Sequence, residues 1–330
     1  MIGSLDHPTV VDATRREFLA VLGAAGLLSA CAPSSGTREP PATTRRFTDR
    51  LGRTVDIPVA PQRVVVLDPS RAISDAVALG RVPVGATTSP ANAGDGLPPF
   101  LGAAGGEITS VGRIGQADPE RVAALDPDLI LFATVYQEDL NIERLSAIAP
   151  VVGYERPQFG LLEPLRFFGD ALGRQDQATR LEREFVELIS ARRVRLGLDG
   201  RRVAVVNISP DDTSQVEVLG PDVGFSPVLR LLGATYAPPQ LAGTDFTPIS
   251  IEVAPATFAD TELLIGLRYV GGPDGATDAF TGSALWRAVP PVAAGDVAYL
   301  DGQEAFANYG LAGIEAALDD LATQLGGGVR

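Results

Sequence analysis

Residues Asp176 to Leu196 read DQATRLEREFVELISARRVRL. Ala178, Leu181, Phe185, Leu188, Arg192 and Leu196 recur at spacings of three and four, which marks one stripe along a helix. Asp176 stands near its start and Arg192, Arg193 and Arg195 in its last turns, so the charges match the helix dipole at both ends. Gly173 and Gly197 punctuate the segment. At ~1.5 Å per residue it spans roughly 30 Å, the width of a small domain. Taken alone, it is an amphipathic surface helix. Set between two similar halves, it is a strut that fixes their separation, and the flanking sequence decides between these readings.

Upstream, strands and helices alternate. Phe47 to Val55 reads as a short hairpin turning around Asp49 to Gly52. Val64-Val65-Val66-Leu67 is fully apolar, as a buried parallel strand should be. A helix through Ile73, Ala76 and Leu79 stops at Gly80, and Val82 to Ala86 is the next strand. Asp118 and Pro119 have the chemistry of an N-cap and a first helical residue. Leu129-Ile130-Leu131-Phe132 is a strand, Asn141 to Ile148 a helix, and Val151-Val152 a strand.

The same order returns downstream. Arg202 to Val206 mirrors Arg63 to Leu67, and Ser226 to Leu232 before Gly233 mirrors the helix before Gly80. Ser250-Ile251-Glu252 mirrors Asp118-Pro119-Glu120, and Leu263 to Leu267 mirrors Leu129 to Phe132. Leu285 to Val289 followed by Val297 to Leu300 mirrors Leu145 to Val152, and Leu311 to Leu325 is the last helix. The offset is 132 residues between Glu120 and Glu252 and 139 between Arg63 and Arg202. Such alternation implies two α/β lobes, each with a mostly parallel sheet.

Composition removes many chemistries. The net charge is −14 and the sequence pI about 4.6, so nucleic acid is not an expected partner. The only histidine is His7 and the only cysteine Cys31. The rest of the chain therefore has no Ser-His-Asp or Cys-His triad, no His/Cys zinc site and no internal disulfide. No Gly-x-Gly-x-x-Gly follows a first strand, so no nucleotide fingerprint is present. No cofactor is expected.

The N-terminus reads as an address. Arg15 and Arg16 precede an uncharged run, Phe18 to Ala30, too short for the ~20 residues a bilayer span needs but suited to a signal peptide. The sextet TRREFL resembles the twin-arginine export pattern, and Leu28-Ser29-Ala30-Cys31 resembles a bacterial lipobox, in which the cysteine carries lipid. Residues 32–46 are rich in Pro, Ser and Thr and read as a tether. The expected organisation is a signal over 1–30, a tether over 31–46, an N-terminal lobe over 47–160, connecting helices over 161–199 and a C-terminal lobe over 200–330.

In open α/β sheets, ligands collect beyond the carboxyl ends of the strands. The rule selects Asp68, Ser70, Arg71, Thr87, Thr88, Tyr136 and Tyr154 in the first half. It selects Asn207, Ser209, Arg268, Tyr269 and Tyr309 in the second. Arg113 lies in the turn Val111-Gly112-Arg113-Ile114-Gly115, which should hold it near a neighbouring loop. Phe159, from the segment crossing between the halves, is a candidate wall residue. Arginine forks and tyrosine faces suit an anionic, partly aromatic small molecule. Glu120 and Glu252 stand at equivalent points, each at the start of a helix, where a carboxylate also serves as an ordinary helix-dipole partner. Trp286 reads as core.

Here a family resemblance enters. FTDRLGRTVDIPVAPQRVVVLDPSRAISDAVALGRVPVGA resembles the opening of ABC-transporter substrate-binding proteins for iron–siderophore complexes and vitamin B12. VGRIGQADPERVAALDPDLILF resembles their second signature, and LSAIAPVV, LWRAVPPVAAGDVAYLDG and the LDDL helix also fit, so the likeness covers about residues 47–325. It implies two Rossmann-like lobes bridged by a single long α-helix, a ligand held between them and little hinge closure. It also implies one glutamate per lobe docking on permease arginines, and the matching positions are Glu120 and Glu252. The expected partners are an ABC-transporter permease, a ferric siderophore that supplies its own iron ligands, and the extracytoplasmic face of the cell membrane through Cys31. The chain itself is expected to act as a monomer. The same role for haem or cobalamin is the near alternative, and a carboxylate hydrolase using Asp68 the remote one.

Overall fold

The computed structural model describes residues 43–89, 92, 96–133, 140–155, 160–209, 212–269, 276–302, 305 and 310–326. The strands are β1 (Thr44–Thr48), β2 (Thr54–Pro58), β3 (Val64–Val66), β4 (Gly85–Thr88), β5 (Thr109–Arg113), β6 (Gln116–Ala117), β7 (Leu129–Ala133) and β8 (Val151–Tyr154) in the first half. They are β9 (Arg202–Ile208), β10 (Gln215–Leu219), β11 (Thr235–Tyr236), β12 (Phe246–Ser250), β13 (Leu263–Arg268) and β14 (Val297–Asp301) in the second. Helices α1 (Arg71–Ala78), α2 (Gly102–Gly105), α3 (Pro119–Ala124), α4 (Ile142–Ser146) and α5 (Glu163–Ala171) belong to the first half. The long helix is α6 (Gln175–Leu196). Then come α7 (Ser226–Leu231), α8 (Ala254–Thr257), α9 (Ala276–Thr281), α10 (Ala284–Arg287), α11 (Pro290–Ala294) and α12 (Leu311–Gly326).

The first sheet runs β6-β5-β4-β3-β7-β8, parallel throughout except for the β5–β6 pair. Its central strands are apolar on both faces because each face has its own core. Val64 and Val66 of β3 and Leu129 and Leu131 of β7 enter one cluster with Ile73 of α1 and Phe168 of α5. Val65, Leu67, Ile130 and Phe132 point the other way, toward Val122 of α3 and Leu145 of α4. The two-residue period of a strand thus sorts a continuous apolar run into two layers.

The second sheet runs β12-β10-β9-β13-β14, with β11 also on β9. β9, β13, β14 and β11 are mutually parallel where they pair. β10 is antiparallel to both β9 and β12. Here the repeat is less exact than the sequence implies: an antiparallel strand, β10, intervenes between β9 and α7, where the first half goes from β3 directly into α1. Val203, Val205, Leu263 and Ile265 share one core with α7 and α12, and Ala204, Val206 and Leu264 share the other with Phe280 and Trp286. Trp286 is fully buried and its Nε1–H donates to the Tyr299 hydroxyl at 2.8 Å, so its expected place in the core holds.

α6 joins the two. Ala178 belongs to a core of the first lobe and Leu181 packs on it. Phe185 and Ile189 belong to a core of the second, with Leu188 and Leu196 against it. The stripe is therefore divided between the lobes, as a strut requires. Ile189, not Arg192, is its buried member near the C-terminal end; Arg192 instead ion-pairs with Asp319 of α12. Burying Phe185 and Ile189 contributes about 1.5–3 kcal/mol each. Gly197 closes the helix at φ 60° with its N–H on the Arg193 carbonyl, a left-handed cap that glycine adopts without strain.

Candidate functional site

The carboxyl end of β3 runs into Asp68 and α1. Asp68 is buried and accepts from the Ser70 amide at 3.1 Å, the Ser70 hydroxyl at 2.5 Å and the Ala72 amide at 2.9 Å. Burial pushes its carboxyl above the ordinary aspartate range, against the pull of these bonds and of Arg71. The acid that a hydrolase would need is thus spent on starting a helix. Arg71 corrects another expectation. Its side chain is 2% exposed, and Nε donates to Asp75 Oδ2 at 2.7 Å. Its Nη1 and Nη2 donate to the carbonyls of Gly160 and Leu161. Leu161 and Leu162 pack against a core of the second lobe. Arg71 therefore clamps the crossing segment to α1, where the sequence reading places it on the ligand.

A second contact reinforces this junction. Gly310, just before α12, lies against α1, so closely that a Cβ there would come 1.7 Å from Ser74 Oγ and 2.5 Å from Ser74 Cβ. The next residue, Leu311, packs on cores of both lobes.

Tyr154 is likewise a correction. It is 6% exposed, and its ring meets Phe167 edge-on at 4.9 Å and Phe168 at 5.7 Å. As the last residue of β8 it points into the core instead of the rim. Tyr154→Phe is expected to leave ligand affinity within twofold and to change stability by no more than about 1 kcal/mol, the usual scale of one hydrogen bond. Parallel binding and urea titrations check both.

Arg113 fares differently. It ends β5, is exposed, and sits in the β5–β6 turn. Ile114 donates its amide to the Thr88 carbonyl at 2.8 Å, and the Thr88 hydroxyl donates to the Gly112 carbonyl at 3.3 Å. The turn is thereby fastened to the exit of β4, as the spacing of its glycines implied.

In the second lobe two expected residues meet. The Tyr269 hydroxyl donates to Asn207 Oδ1 at 3.0 Å. Asn207 Nδ2 donates to Glu217 Oε2 at 2.9 Å. The Tyr269 ring also packs on the backbone of Gly302, where a Cβ would lie 2.7 Å from it. Glu217 is the residue that the sequence reading missed. Its signal was the alternation Gln215-Val216-Glu217-Val218, which marks a strand with a polar face. Arg268 is half-exposed, with Cζ 5.1 Å from the Tyr299 ring centroid and Nη1 3.6 Å from Asp278. Tyr136, Phe159, Tyr309, Cys31, Arg15 and Arg16 lie outside the described residues.

Glu120 and Glu252 are both exposed. Capping of α3 falls to Asp118, which accepts from the Glu120 and Arg121 amides at 3.0 and 3.3 Å. The Glu120 carboxylate is left on the surface, paired with exposed Arg144. Glu252 lies in the turn before α8 and not in its first helical turn, and Val253 stands at the N-cap with no side-chain bond. Neither glutamate caps a helix. Each follows an antiparallel edge strand, β6 or β12, so the two occupy matching positions.

Two α/β lobes joined by one long helix, with polar side chains gathered at the carboxyl ends of the strands, define a two-lobed solute-binding architecture. A family model described as periplasmic binding protein matches residues 64–304, and the chain belongs to that family. It is 30% identical over 174 residues to the probable siderophore-binding lipoprotein YfiY of Bacillus subtilis, 52% of each chain. It is 28% identical over 206 residues to the iron(3+)-hydroxamate-binding protein FhuD of the same organism, 59% of this chain and 62% of that one. The chain thus spans about half to three-fifths of the length of these curated relatives. Among solved structures, Staphylococcus aureus SirA complexed with staphyloferrin B superposes with a TM-score of 0.72 at 22% identity, over 86% of this chain and 99% of that one. Bacillus subtilis FeuA complexed with ferri-bacillibactin gives 0.69 at 15% identity, over 86% and 98%. These likenesses establish the fold.

Proposed function

We propose that this chain captures a ferric siderophore at the carboxyl-end rim of its two sheets and hands it to the permease of an ABC importer. The observation that carries the reading is the division of the α6 stripe between two cores, which ties the two lobes to one helix. Family membership and two relatives named for siderophore or iron–hydroxamate binding support it. Among the described residues, no three His, Cys, Asp or Glu side chains are grouped to hold a metal ion. In this reading the chelate brings the iron with its coordination complete, and the protein grips its periphery. Among the described residues, we assign the ligand contacts to Arg113 in one lobe and to Asn207, Tyr269 and Arg268 in the other. No catalytic step is involved.

Export through Arg15 and Arg16 and lipidation at Cys31 would place the protein on the extracytoplasmic face of the cell membrane. No helix among the described residues is long and apolar enough to cross a membrane. The folded part then works at the end of the tether over residues 31–46.

Titration of the intrinsic fluorescence with iron-loaded hydroxamate, catecholate and carboxylate siderophores, haem and cobalamin tests the reading. Saturable quenching by a ferric siderophore is expected; no response to any siderophore defeats it. Docking is tested separately. Glu120→Ala with Glu252→Ala is expected to leave siderophore affinity within twofold and to abolish uptake into cells. A tenfold loss of affinity in the double variant would remove the docking assignment.

A further inference from the structure

We infer that the cargo is a ferric trishydroxamate carrying a positively charged arm, and that Glu217 is the residue that reads that arm. The inference rests on the siderophore reading and narrows it to one chemical class.

Three arginines of the described residues stand at the carboxyl ends of the strands: Arg71, Arg113 and Arg268. Arg71 is enclosed and matched by Asp75 at 2.7 Å. Arg268 faces Asp278 at 3.6 Å and lies over the Tyr299 ring. Against them stand Glu155, Asp212, Glu217, Asp278 and Asp301, each at least partly open to solvent, with Asp68 enclosed below. Among the described residues the acids outnumber the arginines at this rim, in a chain whose net charge is already −14.

The iron chelates differ in this respect. Each hydroxamate gives up one proton, so three of them neutralise ferric iron. Each catechol gives up two, so a triscatecholate complex keeps three negative charges. A trianion would enter a rim of its own sign, where Arg71 and Arg268 already face acids. Like-charge juxtaposition of this kind is how a binding surface rejects a partner.

Glu217 supplies the attraction. Its Oε2 is fixed by Asn207, and Asn207 is fixed in turn by Tyr269. Among the described residues, Oε1 accepts no hydrogen bond. A carboxylate held in place by two neutral side chains, with one oxygen on offer, suits an ammonium donor. The two amide positions of Asn207 are engaged, so the negative oxygen is the acceptor this network presents.

Three chelates decide the matter: ferrioxamine B, a trishydroxamate with an ammonium arm; ferrichrome, a neutral trishydroxamate; and ferri-bacillibactin, a trianionic triscatecholate. Affinities are measured on the full mature chain by fluorescence and calorimetry. The expected order is ferrioxamine B, then ferrichrome about tenfold weaker, then ferri-bacillibactin at least 100-fold weaker than the first. Glu217→Gln, which keeps the shape, should bring ferrioxamine B to the level of ferrichrome and leave ferrichrome unchanged. Triscatecholate binding equal to or tighter than trishydroxamate binding overturns the inference and leaves siderophore capture standing. So does an unaltered ferrioxamine B affinity in Glu217→Gln. Binding of none of the three overturns the inference, and the wider panel with carboxylate siderophores, haem and cobalamin then decides the siderophore reading.

Discussion

Arg71→Met is expected to lower the stability of the protein by about 3–5 kcal/mol at pH 7.5, the usual consequence of stripping one partner from a buried ion pair. The exposed pairs elsewhere, such as Arg50 with Glu163, are worth about 0–1 kcal/mol and would not be missed. The difference lies with the partner left behind. Asp75 is fully enclosed, and among the described residues its Oδ1 has no hydrogen bond even in the intact pair. Burial pushes its carboxyl above the ordinary aspartate range, the attraction and hydrogen bond of Arg71 pull it back, and nearby Asp68 pushes it up a little further. A carboxyl whose folded pKa exceeds its unfolded one binds more protons in the folded state within the window between them. Stability therefore falls as pH rises through that window and is fully present below it. Removing Arg71 removes the downward pull and extends the window toward neutral pH. Urea denaturation at pH 4.5 and 7.5 should show a gap between wild type and variant that widens at the higher pH. A constant gap would contradict the account. Arg71→Met with Asp75→Leu, which removes both charges, should recover most of the loss. Arg71 acting on the ligand would instead weaken binding and leave stability unchanged.

The parts of this molecule that could be read from the sequence are those whose physics is local. The α6 stripe follows from 3.6-residue periodicity, and the ends of α6 follow from Gly173 and Gly197. Strands β3, β7 and β13 show as unbroken apolar runs because both of their faces are covered. β12 escapes notice because it is an edge strand with an alternating, half-exposed pattern and carries Pro248, which an edge tolerates. β10 is announced only by the short alternation Gln215-Val216-Glu217-Val218. The carboxyl-end rule picks positions past the strands, but it says nothing of where a side chain points. Tyr154 turns into an aromatic core built by α5, and Arg71 turns into the junction between the lobes. Asn207 and Tyr269, by contrast, sit where the rule put them and are joined by a hydrogen bond. Glu217 is missed because the short alternation of β10 is not read as a strand.

Glu184→Pro is expected to cost about 3 kcal/mol or more and to weaken siderophore binding at least tenfold, from a position outside the rim. Glu184 is exposed, and among the described residues its side chain makes no hydrogen bond, so the effect runs through the backbone. A proline there removes one helical N–H and presses its ring on the carbonyl of residue 180, which kinks or breaks the helix. The place of the kink is what matters. Leu181 packs on the core of the first lobe, and Phe185 is buried in the core of the second. The kink falls between these two anchors, so each half of α6 keeps its own core while the angle between the lobes changes. Glu184→Ala keeps the helix and should match the wild type in both stability and affinity. The Arg71 clamp and the Gly310–Ser74 contact also join the lobes, so the variant should fold, with lobes set at a different angle. Small-angle scattering of the free variant would register that change, and fluorescence titration the loss of affinity. A folded Glu184→Pro protein with wild-type affinity would show that α6 does not set the separation of the rims. The same stiffness limits the wild type: a continuous helix anchored at both ends resists wide opening, so free and loaded forms should differ by only a few degrees of lobe rotation.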